Sequence, residues 1–149
     1  MDELELEFEL DTRLANDCIV LGDFPLSRLL LMNDAQYPWF ILVPRRAGAT
    51  EIYHLSCEDQ HQLMDESSEL AETMADSFSA QKMNIANLGN MVPQLHIHHI
   101  ARREGDPAWP GPVWGKHPTI PYTKEKIDQI RSRIESMLTG EVSFIVDKK

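Results

Sequence analysis

The chain is poor in cysteine and in basic residues, and it has no long apolar run. Its 2 cysteines, Cys18 and Cys57, have no Cys-x-x-Cys spacing. That leaves neither a disulfide framework nor a cysteine metal site, and it points to a cytoplasmic setting. Trp39-Phe40-Ile41-Leu42-Val43 is the longest apolar stretch. It falls far short of the ~20 residues that span a bilayer, so it reads as a buried strand and no membrane partner is expected. Met1-Asp2-Glu3-Leu4-Glu5-Leu6-Glu7 is acidic where a secretory leader would be basic. Lysine and arginine number 14 against 24 acids, a net charge of -10. Binding of nucleic-acid polymers rests on a basic face that neutralises phosphates, so that class of partner is excluded. A small nucleotide is not excluded. One phosphate can be held by backbone N–H groups and a few local donors.

What is present is enough for a core. The 149 residues, 42% of them hydrophobic, suit a single domain spanning 1–149. Residues 1–9 alternate acid and apolar, which leaves strand and helix both open. Residues 11–16 suggest a short helical turn. Strands are expected at Cys18–Leu21, Leu26–Met32 and Phe40–Val43, the last closed by Pro44. Short connections between them favour an antiparallel meander. Ser56 reads as the N-cap of a long helix. Its apolar stripe is Leu63, Ser67, Leu70, Met74 and Phe78, widened by Met64, Ala71 and Ala75. The acids Glu58, Asp59, Asp65, Glu66, Glu69, Glu72 and Asp76 mark its water-facing side. Lys82–Leu88 reads as a fourth strand, Gly89-Asn90 as a turn and Val92–Arg102 as a fifth strand. Asp106 to Gly115 is a stiff loop with Trp109, Trp114 and several prolines. Its tryptophans are suited to stacking on a base, to sealing a dimer contact, or to packing on their own domain. After Thr123 a second helix carries Ile127, Ile130, Ile134, Met137 and Leu138, with Gly140 as its stop. Val142–Val146 has the pattern of a final short strand.

The stretch Gln94-Leu95-His96-Ile97-His98-His99-Ile100-Ala101-Arg102 holds three of the chain's 6 histidines. Alternate side chains of a strand point to opposite faces. Gln94, His96 and His98 therefore share one face, and Leu95, Ile97 and His99 share the other. Two imidazoles side by side on a rigid element suit a nucleophile, an acid/base pair or metal ligands.

This stretch resembles the signature of the histidine triad (HIT) family, three histidines alternating with apolar residues and often followed by Pro-Arg. Gly89-Asn90-Met91-Val92 resembles the segment that precedes the triad. The resemblance spans about residues 16–103, leaving 104–149 as a C-terminal extension. It implies an α+β fold: a roughly five-stranded antiparallel sheet with one long and one C-terminal helix. It implies a hydrolase or nucleotidyl transferase acting at a nucleotide α-phosphate. Dinucleoside polyphosphates and nucleoside phosphoramidates are the substrate types. His96, the middle position, would attack phosphorus, and His98 would contact the phosphate. Asn33 matches the ribose-binding position, while Gly89, Asn90 and Gln94 would lie beside the anion. Gln94 replaces the first histidine, Ala101 the usual proline, and Trp39 a further histidine that many relatives carry. A uridylyltransferase branch carries glutamine at the third position, so the pattern tolerates an amide. The resemblance also implies a homodimer with joined sheets, and no cofactor or metal.

Two other readings of the same residues stay open. His96 and His98 have a zinc-ligand spacing that His99, His54 or His117 would complete. Gln94 and Trp39 also fit a nucleotide-binding or interaction module without turnover.

Overall fold

The structure is a computed structural model that describes residues 7–147. Residues 1–6 of the acidic alternation lie outside the described residues. Asp11 caps a short helix, α1 (Thr12–Asp17), by accepting the Arg13 N–H. A meander follows: β1 (Cys18–Asp23), β2 (Ser27–Met32) and β3 (Trp39–Pro44). The chain then enters α2 (Cys57–Phe78), β4 (Lys82–Asn87) and β5 (Ile97–Arg102), and ends in α3 (Lys124–Met137) and β6 (Ile145–Val146). The strands form one sheet in the order β4-β5-β3-β2-β1-β6. Every pairing is antiparallel. The family resemblance implies five strands. The sixth is the two-residue β6, set against β1 where Gly22 lies. A Cβ on Gly22 would run into the Ile145 carbonyl and the Phe144 ring, so glycine lets this edge pair. Among the described residues no helix is long and apolar enough to cross a membrane.

The sheet's two faces carry different loads. Leu29, Leu31, Phe40, Leu42, Ile97 and Ala101 join one cluster with Leu63, Leu70 and Met74 of α2 and Ile130 and Ile134 of α3. Leu30, Trp39, Ile41, Val43 and Ile100 form a second cluster on the opposite face. Leu14 of α1 and Ala108 and Val113 of the long loop cover it, with Trp114 packed alongside. The pairing Ile41↔His98 puts His98 on this second face. β5 begins at Ile97 rather than Val92, because Pro93 brings no N–H to a ladder and Leu95 donates instead to the Ala49 carbonyl.

Ser56 caps α2 as expected, accepting the Asp59 N–H at 3.1 Å, and Thr123 caps α3. Two residues of α2 depart from the expected faces. Met64 is exposed, and Glu66, grouped with the water-facing acids, is fully buried. Its carboxylate accepts the N–H groups of Leu26 (2.7 Å) and Ser27 (3.0 Å), with Gln62 as a third donor. Burial pushes its pKa up, against the lowering effect of those bonds. Glu66 thus fastens the long helix to the β1–β2 turn. Glu66→Ala should leave both N–H groups buried without an acceptor and cost roughly 2–6 kcal/mol, at about 1–3 kcal/mol per orphaned group. Glu66→Gln, which keeps one oxygen, should cost less. Urea unfolding at pH 7 measures both, and an unshifted Ala variant would show the fastening to be idle.

Candidate active site

His96 and His98 come together. Their ring centroids are 4.9 Å apart and their planes nearly perpendicular, at 72°. Each is fixed through Nδ1, in opposite senses. The His96 Nδ1 lies 2.7 Å from the Gln94 carbonyl oxygen. A carbonyl only accepts, so this nitrogen carries the proton and Nε2 of the neutral ring keeps its lone pair. The His98 Nδ1 accepts the indole N–H of Trp39 at 3.0 Å. An indole only donates, so the proton of neutral His98 sits on Nε2. The two rings therefore present complementary groups, one lone pair and one N–H.

The exposure of His96 is 5% and that of His98 is 7%. Neither Nε2 bonds to a described residue, and neither is among the fully enclosed polar atoms without a partner. Trp39 and Trp114 flank His98 at centroid distances of 5.7 and 5.2 Å. Of the three roles open to the tryptophan loop, packing on its own domain is the one observed. Burial, with lesser contributions from His96 and His99, lowers the His98 pKa to about 3.

The other candidates divide. The Gln94 side chain accepts the Asp11 N–H (2.9 Å) and donates to the Glu9 carbonyl (2.8 Å). Its amide docks the N-terminal segment, while its main-chain oxygen orients His96. Asn33 accepts the Tyr122 N–H at 2.9 Å, two strands over from His98 and three residues along from its row. Gly89 and Asn90 are exposed in the β4–β5 connection. Asn84 accepts from Arg102 at 2.8 Å.

The histidines weighed as further metal ligands are occupied elsewhere. His99 turns to the helix face, where Nδ1–H donates to the Ile97 carbonyl and Nε2 accepts from the Ser67 hydroxyl at 2.7 Å. His54 accepts backbone N–H groups of Thr50 and Glu51, and His117 donates to the Pro107 carbonyl. Among the described residues no group of three or more His, Cys, Asp or Glu side chains stands ready to hold an ion.

Sequence reading missed the partners of Trp39 and Trp114. The available signal was Trp39's place on a strand face. It becomes informative only with the β3–β5 register, where Trp39 opposes Ile100 and so lies diagonal to His98.

An open antiparallel sheet with a long helix behind it and a paired-imidazole strand in front defines a class of histidine-based proteins. Residues 13–105 match the HIT domain family model, and the chain belongs to the HIT family. It is 54% identical to a histidine triad protein from Marinobacter aquaeolei VT8, covering 88% of this chain and 96% of that one, with a TM-score of 0.86. A histidine triad protein from Sinorhizobium meliloti 1021 is 45% identical over 90% and 99% of the two chains, TM-score 0.88. One from Bradyrhizobium japonicum is 44% identical over 88% and 98%, TM-score 0.86. No curated protein matches the chain.

Two buried neutral imidazoles make stability depend on pH. The folded pKa of His98 is lowered to about 3 and that of His99 to about 4, against 6.5 for the free side chain. Burial dominates both, and the Ile97 carbonyl partly opposes it at His99. Below 6.5 the unfolded chain binds protons that the folded chain refuses. The stability due to these rings is full above that pH and is lost as pH falls towards the folded values. The urea midpoint should be level above pH 7 and fall between pH 6.5 and about 4. His99→Gln should remove about one proton from the slope. A level profile across that window would show that the rings are not held neutral.

Proposed function

We propose that this protein hydrolyses or transfers the nucleotidyl group of a nucleotide, acting at the α-phosphate through His96. The observation that carries this reading is the opposed pinning of the two imidazoles. His96 offers an Nε2 lone pair, and His98 offers an Nε2–H donor beside it. In the first step His96 Nε2 forms an N–P bond while the bond to the leaving group breaks. In the second, water attacks phosphorus and the bonding pair returns to Nε2. In hydrolysis water is the only co-reactant, and in transfer a second acceptor attacks phosphorus in its place; neither route calls on a cofactor. His98 stabilises the phosphate oxygens as a donor fixed before charge develops. Gly89 and Asn90 supply further donors at the anion, Asn33 takes the ribose, and Gln94 acts by orienting His96. Dinucleoside polyphosphates and nucleoside phosphoramidates are the candidate substrates. The unpaired thiols of Cys18 and Cys57 fit a cytoplasmic setting.

Incubation with a labelled nucleotide substrate should trap an acid-labile adduct on the parent chain and none on His96→Ala. Equal turnover by the two would refute the mechanism. The close cover over both rings favours a second reading, a module that binds nucleotides without turnover. Tight binding with neither adduct nor product would decide for it.

A second copy of the chain is proposed along β4. That strand ends the sheet, and Ile85, Leu88 and Met91 are exposed on it and just beyond it. An unpaired apolar edge invites another strand. Sedimentation equilibrium should give twice the chain mass, and Ile85→Lys with Met91→Glu should halve it. A monomeric parent would remove this proposal.

A further inference from the structure

We propose that Trp39 makes His98 a hydrogen-bond donor that cannot pass on a proton, so that the site selects leaving groups able to depart as weakly basic anions. This rests on the nucleotidyl-transfer reading above and deepens it by naming the leaving group.

The argument starts from the bond itself. The Trp39 indole donates to His98 Nδ1 at 3.0 Å, and Trp39 is itself buried. To serve as an acid in its cationic form, His98 would need a proton on Nδ1. Two N–H groups would then face each other, and both would be left without acceptors in a closed environment. Burial opposes a charge on His98, and a proton on either neighbouring imidazole, His96 or His99, would oppose it further. The neutral ring can still point Nε2–H at a phosphate oxygen. Giving that proton away would leave an imidazolate, a far stronger base than any leaving group of interest. His98 therefore polarises the phosphate and keeps its proton.

His96 does not fill the gap. Its one proton is on Nδ1 and is held by the Gln94 carbonyl 2.7 Å away, on the side opposite the attacking nitrogen. When Nε2 bonds to phosphorus, the ring becomes a cation that retains this N–H. The electron pair of the breaking bond then leaves with the departing atom, with no proton from either imidazole. A phosphate leaving group accommodates this, because its second ionisation lies at about 6. An amine does not, because it must be protonated on nitrogen before it departs. In the second step the proton of the attacking water goes to solvent.

The test compares kcat/KM of the full-length chain for diadenosine triphosphate and for adenosine 5′-phosphoramidate. The anhydride should be favoured by at least about 100-fold, the low end of what a positioned acid supplies. Trp39→His, which puts a titratable ring behind His98, should narrow that gap at least about tenfold. Nitrogen-15 spectra of the parent should show His98 as the Nε2–H form throughout the neutral range. Trp39→Phe keeps an aromatic ring but loses the donor, and it should let the Nδ1–H form appear. Comparable turnover of both substrates, a parent His98 protonated on Nδ1, or an unaltered His98 in Trp39→Phe would each overturn the proposal. If neither substrate reacts and no adduct forms, the nucleotidyl-transfer reading falls and the leaving-group preference falls with it. The nitrogen spectra still judge Trp39 separately in that case.

Discussion

Everything at the site depends on the register between β3 and β5. Strand β5 carries a histidine on each face, His98 on one and His99 on the other, so a slip of one residue would exchange them. Two anchors resist that exchange. His99 reaches Ser67 on α2 from the helix face. On the histidine face Arg102, 2% exposed, gives its N–H groups to Asp106 (2.8 and 3.1 Å), Asn84 (2.8 Å) and the Gly111 carbonyl (2.8 Å). In a slipped sheet the guanidinium would enter the apolar layer under α2 without those acceptors. A buried cation stripped of its partners costs several kcal/mol. The penalty is large beside the total stability of a domain this size.

The same arginine organises the loop that encloses the site. Burial tends to raise the Asp106 carboxyl. The Arg102 bonds and the N–H groups of Arg103 and Ala108 outweigh that and hold it below the usual carboxylate range. Asp106 also accepts the Trp109 N–H at 2.7 Å, so one side chain shapes the first turn of the loop. Trp109 and Tyr37 lie against the guanidinium at 5.8 and 5.9 Å. From this anchored base the chain reaches Trp114, which packs on Trp39 and His98. The enclosure of His98 is thus a consequence of the buried ion pair four residues further on in sequence.

Much of this was legible beforehand where the signal is local. The Ser56 cap, the meander strands and the opposition of His96/His98 to His99 follow from residue type and a period of two or 3.6. Distant partners were not legible. Glu66 sits at helical spacing between Leu63 and Leu70, so geometry put it in the buried stripe while its charge argued for water. The acceptor-hungry N–H groups that decide the matter belong to Leu26 and Ser27, about forty residues away in the chain. Asn33 reads locally as a turn former, and the Tyr122 N–H it accepts lies beyond the reach of any pattern. Trp39 and His98 are likewise adjacent only through the sheet.

The three departures from the family signature bear on whether activity has eroded. Each makes a hydrogen bond that the displaced residue could not make in the same way. The Gln94 amide both accepts from and donates to the backbone at residues 9–11, a two-point bridge that an imidazole cannot span with its single donor and acceptor on divergent sides. Ala101 donates its N–H to the Pro38 carbonyl at 3.0 Å, and a proline has no such proton. Trp39 brings a bulky ring and an N–H into a closed layer, which would cost about 1–3 kcal/mol if that N–H found no acceptor. It finds the one ring nitrogen whose occupation fixes the donor face of His98. Substitutions drifting after loss of function have no reason to arrive with complementary partners. A reorganised site does, and under the proposed nucleotidyl-transfer reading a neutral donor held by its surroundings needs no rearrangement when charge develops on a phosphate.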